Sequence, residues 1–227
     1  GFTVLFSAMR VGRPSSLVDG LRRLRAEVET IPLPRQGRDE AGLPLAFGSL
    51  VGRDGSASNG RDPLGDLLGE IKPSSVLTLD ADGRWCAAVA VSSGARVVAF
   101  NTDLDEAGCL YAMARANGLP ILPLVMDFTH ATPSAGLGSH WSIAASERLR
   151  CEMVVARNLV RELVMRRHLN FQQIVEGLAD FSTRWAVVEF VPAEERELGR
   201  GGASPPPWYT LPELQSALEK RFRHLRV

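Results

Sequence analysis

The chain has 227 residues, 45% of them hydrophobic and 23% charged, with 26 basic side chains against 26 acidic ones. That length and mix suit a globular domain that buries its own core without a disulfide or metal staple. The charge balance excludes a general polyanion binder, so no nucleic-acid partner is expected. No apolar run is long enough to cross a bilayer, so no membrane partner is expected either. Cys86, Cys109 and Cys151 are odd in number and lack paired spacing, which points to a reducing compartment. The opening stretch Gly1–Met9 has no basic lead or cleavage signature, and the expected localisation is cytoplasmic.

The first predicted helix runs over Leu17–Val28, with Ser16 as N-cap and Asp19 three residues on. Leu17, Val18, Leu21, Leu24 and Val28 fall on one stripe, while Arg22, Arg23 and Arg25 lie mostly outside it as a solvated or docking face. Residues 1–35 read as an N-terminal helical arm. Residues 36–63, dominated by Gly, Pro, Asp, Arg and Ser, read as a flexible linker, because a structureless stretch of that length is unusual inside a domain.

From 64 to 227 strands and helices alternate. Strands are predicted at Ser75–Asp80, Arg96–Asn101, Ile121–Met126, Cys151–Ala156 and Trp185–Val191. Helices are predicted around Trp85–Val91 and over Leu104–Asn117, the latter with Asp105 and Glu106 in its first turn and Gly118 at its stop. Phe171, Ile174, Val175 and Leu178 form a helical stripe behind Asn170 as N-cap. Thr210 and Glu213 read as a capping box opening a last helix that continues to Phe222. Near-continuous Val, Leu and Ile strands are buried on both faces. The expected fold is therefore α/β: a Rossmann-like, mostly parallel sheet sandwiched by helices.

Open parallel sheets bind ligands beyond the C-terminal ends of their strands. The candidate residues accordingly follow the apolar runs: Asp80, Asp82, Gly83 and Trp85 after the first strand, then Asn101 and Asp103. Asp127 and His130 follow the third strand, Arg157 and Asn158 the fourth.

The succession VVAFNTD, LPLVMD, CEMVVA, WAVVEFV and WYTLPELQSALEKRF resembles class I S-adenosylmethionine-dependent methyltransferases, most of all a nodulation-type bacterial branch. The resemblance covers about Lys72 to the C-terminus and is most specific over Ile121–Phe128, Leu169–Val191 and Trp208–Phe222. It implies the same sandwich fold and a nucleoside site at the strand ends. The family's first loop, Asp-x-Gly-x-Asn/Gly-x-Gly, lets bare backbone approach the methionine part of the donor. Here Thr78 stands at the acid, Asp80 at the first glycine, and only Gly83 is retained. In an alternative alignment Asp80 is the acid, and the loop is still short of glycines.

At the ribose position Asn101 replaces an acid, with Asp103 two residues on; Asp127 matches the acid that meets the adenine amino group. Where relatives carry a His pair after the fourth strand, this chain has Arg157-Asn158-Leu159-Val160. These departures imply that S-adenosylmethionine binding is lost, and with it catalysis. The expected function is a methyltransferase-like scaffold or partner subunit, homo- or hetero-oligomeric, acting through protein contacts. The alternative is an active small-molecule methyltransferase using Asp103 and Asp127 for the nucleoside. A third possibility is a pocket reused for another small molecule, with Arg157 and Asp80 as its polar groups.

The remaining polar residues add little. His130, His140, His168 and His224 have no metal spacing, so no metal is expected. Trp85 and Trp141 are candidates for a pocket wall or for stacking on a ligand. Ser139–Ser146 lacks a nucleophile-elbow motif. Glu189 lies in the apolar run read as the fifth strand, where a strand-end position or a structural hydrogen bond explains it as well as catalysis does.

Overall fold

The computed structural model describes residues 63–79, 83–192 and 205–223. The expected N-terminal arm, and the linker up to Asp62, lie outside them. The described elements are α1 (Pro63–Ile71), β1 (Ser75–Thr78), α2 (Gly83–Ser92), β2 (Arg96–Asn101), α3 (Leu104–Ala116) and β3 (Ile121–Val125). They continue with α4 (Ala145–Arg148), β4 (Cys151–Ala156), α5 (Leu159–Arg167), α6 (Phe171–Phe181), β5 (Ser182–Val188) and α7 (Leu211–Glu219).

The five strands form one sheet in the order β3-β2-β1-β4-β5, and every neighbouring pair is parallel. Val76, Leu77 and Thr78 of the central strand are fully buried. Such burial on both sides is what a parallel sheet covered on each face requires. Side-chain alternation divides the core into two layers. Val76, Val97, Ala99, Met153 and Val155 pack with Leu68 of α1, Cys86, Ala87 and Ala90 of α2, and Leu110 and Ala114 of α3. Leu77, Phe100, Val154 and Ala156 pack on the opposite side with Val160 and Leu163 of α5, the α6 stripe, and Leu214 and Leu218 of α7. The chain is thus a Rossmann-like α/β sandwich, as the strand pattern requires.

Local chemistry accounts for the best-defined helices. In α6 the Asn170 side chain accepts from the Gln173 amide while the Gln173 side chain accepts from the Asn170 amide. This reciprocal cap satisfies two amides that the helix cannot pair internally. Phe171, Ile174, Val175, Leu178 and Phe181 then follow on one buried stripe, each contributing about 1.5–3 kcal/mol on leaving water. In α3 the Asp103 carboxylate caps Asp105 and Glu106 amides, at 2.7 and 3.2 Å through one oxygen.

Several boundaries differ from the sequence reading. β1 ends at Thr78, and β5 begins at Ser182 and ends at Val188, so Glu189 lies just past it. Thr210 precedes α7 but makes no side-chain cap bond, and α7 stops at Glu219. Helices α1, α4 and α5 had no counterpart among the predicted elements. Asn158 and His168, both in the left-handed conformation, bound α5.

Candidate functional site at the strand ends

The chain moves outward from β1 through β2 to β3 on one side, then returns past β1 to build β4 and β5 on the other. The reversal lies between the C-terminal ends of β1 and β4, the place where such sheets open a crevice for ligands. Thr78 ends β1 there, in register with Ala99 and Val155. Its hydroxyl is buried and makes no hydrogen bond among the described residues. Asp80 and Asp82, expected in the donor loop, lie outside the described residues. Gly83 opens α2.

Two side chains meet across the reversal. Trp85 projects from the first turn of α2, and the guanidinium of Arg157, just past β4, lies 4.4 Å from its ring centroid. A cation over an indole face gains about 0.5–2 kcal/mol, more as water is excluded. Arg157 Nε is also 3.8 Å from Glu189 Oε2, and that same oxygen accepts the Asn158 amide at 2.9 Å. The ends of β4 and β5 and the start of α2 are therefore tied by one chain of contacts: Trp85, Arg157, Glu189 and the Asn158 backbone. Beside it, Arg84 pairs with Glu106 at 2.9 Å, linking the first turns of α2 and α3.

At the β2 end the expected ribose-binding groups hold the loop itself. Asn101 Oδ1 accepts the Asp103 amide at 2.8 Å, a local turn that side-chain amides form readily. Asp103 in turn is the α3 cap described above.

At the β3 end Asp127 is similarly engaged. Its Oδ1 accepts from the Thr129 amide at 2.8 Å and the Thr129 hydroxyl at 2.7 Å, and its Oδ2 lies 3.0 Å from Arg167 Nη2 and 3.4 Å from His130 Nδ1. Partial burial alone would raise the carboxyl, but the two Thr129 bonds and the Arg167 charge outweigh it and hold Asp127 below its ordinary value of 3.8. The Arg167 bond also anchors the end of α5 to the loop after β3.

The structure thus brings Trp85, Arg157 and Asn158 together, and leaves Asn101 with Asp103, and Asp127 with His130, as separate local clusters. Trp141 does not join them. It is 82% exposed, held against Gly136 in the loop after β3. A side chain at Gly136 would stand 2.3 Å from the Trp141 ring, which is why the indole lies on bare backbone. Glu189 stands just past β5 and accepts the Asn158 amide, two of the roles that its place in the sequence allowed. Glu106 and Arg167 were missed as organising residues; both are ordinary helix-end charges in the sequence.

Among the described residues no group of three or more His, Cys, Asp or Glu side chains is placed to hold a metal ion. Among them, too, no helix is long and apolar enough to cross a membrane. Comparison of the chain with family models, curated proteins and solved structures finds no match.

Proposed function

We propose that this chain is a methyltransferase-like domain whose S-adenosylmethionine site is degenerate, and that it acts without catalysis as a scaffold or partner subunit through protein contacts. The observation that carries the reading is the Arg157 guanidinium stacked on Trp85 at the reversal of strand order and tethered to Glu189. A ligand entering between β1 and β4 would meet that stack and compete with Trp85 and Glu189 for the Arg157 cation. The strand order itself, 3-2-1-4-5 around a central β1, is compatible with the nucleoside-binding arrangement of Rossmann-type sheets.

The bonds already made at the strand ends support the degenerate reading. The donor's ribose hydroxyls call for acceptors at the β2 end, where Asn101 Oδ1 already accepts the Asp103 amide and Asp103 Oδ1 caps α3, so part of the acceptor capacity there is spent inside the loop. Asp127 would receive the adenine amino group while already holding Thr129 and Arg167.

Isothermal titration of the full chain with S-adenosylmethionine tests the reading. No heat and no rise in melting temperature at millimolar donor are expected; a ligand at one hundred times its Kd would stabilise by about 2.7 kcal/mol. Micromolar binding overturns the proposal and favours the active small-molecule methyltransferase instead.

A further inference from the structure

Four arginines cluster along α5. Arg157 precedes the helix, Arg161 stands in its first turn, and Arg166 and Arg167 close it. Three of them have a carboxylate at hand. Arg157 Nε lies 3.8 Å from Glu189, Arg166 Nη1 3.8 Å from Glu162, and Arg167 Nη2 3.0 Å from Asp127. Arg161 has no such partner among the described residues. Glu162, its neighbour in the chain, pairs with Arg166, and Glu189 is shared between Arg157 and the Asn158 amide.

Arg161 is not a solvated surface charge. The side chain is half-buried, and its Nη1 is enclosed without a hydrogen-bond partner among the described residues. Buried polar groups are nearly always paired, and a guanidinium drawn partly out of water with neither acceptor nor counter-charge is costly. Burial pushes the Tyr209 phenol above its ordinary value of 10.0 while the Arg161 charge pulls against that rise, so the guanidinium lies within electrostatic reach of the hydroxyl. That hydroxyl donates to Val191 O at 3.0 Å and does not bond Nη1.

Two features specify a ligand. One positive charge is unmatched, because the other three arginines already face carboxylates. A single guanidinium fork suits a carboxylate monoanion better than a doubly charged phosphate. The setting is also aromatic: Tyr209 stacks on Phe190 at 5.0 Å and packs against Phe171 at 5.5 Å. Trp208, 38% exposed, meets Phe171 edge-on at 5.2 Å. Such surroundings favour an apolar ring over a wholly hydrophilic ligand.

We propose that Arg161 anchors a binding site for a small aromatic carboxylate, between the first turn of α5 and the Tyr209 turn that precedes α7, the carboxylate meeting the solvent-reachable edge of the guanidinium. The site goes beyond the scaffold reading and fails or stands apart from it, because its probe is a simple carboxylate and not the methyl donor.

Isothermal titration of the full chain with benzoate tests it. Saturable binding is expected, with benzamide, the uncharged molecule of the same shape, at least about tenfold weaker. Arg161→Met keeps an unbranched apolar stem and removes the charge. It is expected to abolish benzoate binding while holding or raising the melting temperature, since the charge it deletes has no partner. Arg161→Lys keeps the charge without the planar fork and is expected to bind benzoate more weakly than the wild type. No benzoate binding by the wild type at about 10 mM, equal binding of benzamide, or benzoate binding indifferent to Arg161→Met overturns the proposal. So does inorganic phosphate binding more tightly than benzoate, which contradicts the monoanion assignment. A fall in melting temperature in Arg161→Met also overturns it, because the chain itself would then be supplying the counter-charge.

Discussion

The two faces of the sheet are filled in different ways. On the α6 side the core is bulky: Phe181 meets Phe100 edge-on at 5.5 Å between ring centroids and Phe128 at 6.1 Å. Phe171 packs against Phe190, Trp208 and Tyr209. On the α2 side the core is small: Cys86, Ala87, Ala88 and Ala90 are completely buried, with Ala95 and Ala99 of the sheet side close by. Helices lined by alanine approach a sheet more closely than helices lined by phenylalanine, because interior packing leaves no gaps to absorb the difference. Trp85, in the first turn of α2, meets Arg157 from this side. One face is consequently sensitive to losing volume, the other to gaining it.

The largest effect is expected on the bulky face. Phe181→Ala removes a buried ring and leaves a cavity, which costs about 3–5 kcal/mol, read by urea unfolding. An effect within the range of surface substitutions would mean that the two faces are equally plastic. On the small face Ala87→Leu is expected to cost about 1–3 kcal/mol by overpacking. It should also push α2 outward and quench the Trp85–Arg157 contact, visible as a change in tryptophan emission. Were Ala87→Leu neutral, the close seating of α2 would not be what places Trp85.

Arg157→Ala should cost less, about 0.5–2 kcal/mol from the lost stack, and it sharpens the comparison in another way. If the variant gains S-adenosylmethionine binding, side-chain occupation alone closed the site; continued absence of binding puts the obstacle in the other altered residues as well. The smallest effect concerns pH. Because the folded-state pKa of Asp127 is lowered from 3.8, its contribution to stability is fully present above that value and is lost as the pH falls through the folded-state value. Asp127→Asn is expected to flatten this acid limb of the stability curve and leave the neutral limb little changed in slope. An unchanged acid limb would remove Asp127 as a fastener between β3 and α5.

How much was legible depends on which residues carry the pattern. Arg96–Asn101 and Cys151–Ala156 were read at their observed limits because runs dominated by β-branched and apolar residues mark strands buried on both faces. The fifth strand was read late because it starts on Ser182, Thr183 and Arg184. Ser182 Oγ bonds Trp185 O, and a register shift on β4 accommodates the polar start; neither is visible as hydropathy. Helix α5 was missed because Arg157–Arg167 alternates charged and apolar residues over a short span, and its ends are set by left-handed Asn158 and His168 rather than by a side-chain cap. In the candidate site the residue types at the strand ends were legible. Their mutual engagement was not: Asn101 with the Asp103 amide is a local event, whereas Arg157 with Trp85 and Glu189 joins three elements distant in sequence.

What the order of amino acids determined alone is the class of fold, since the alternation of doubly apolar strands with amphipathic helices has one well-packed solution, a parallel sheet between two helical layers. Tertiary structure alone decided which polar side chains at the strand ends remain available. An arginine or carboxylate takes whichever partner the packing brings within reach, and that distance depends on how near α2 and α5 sit to the sheet, a sum over side-chain volumes that no single segment contains.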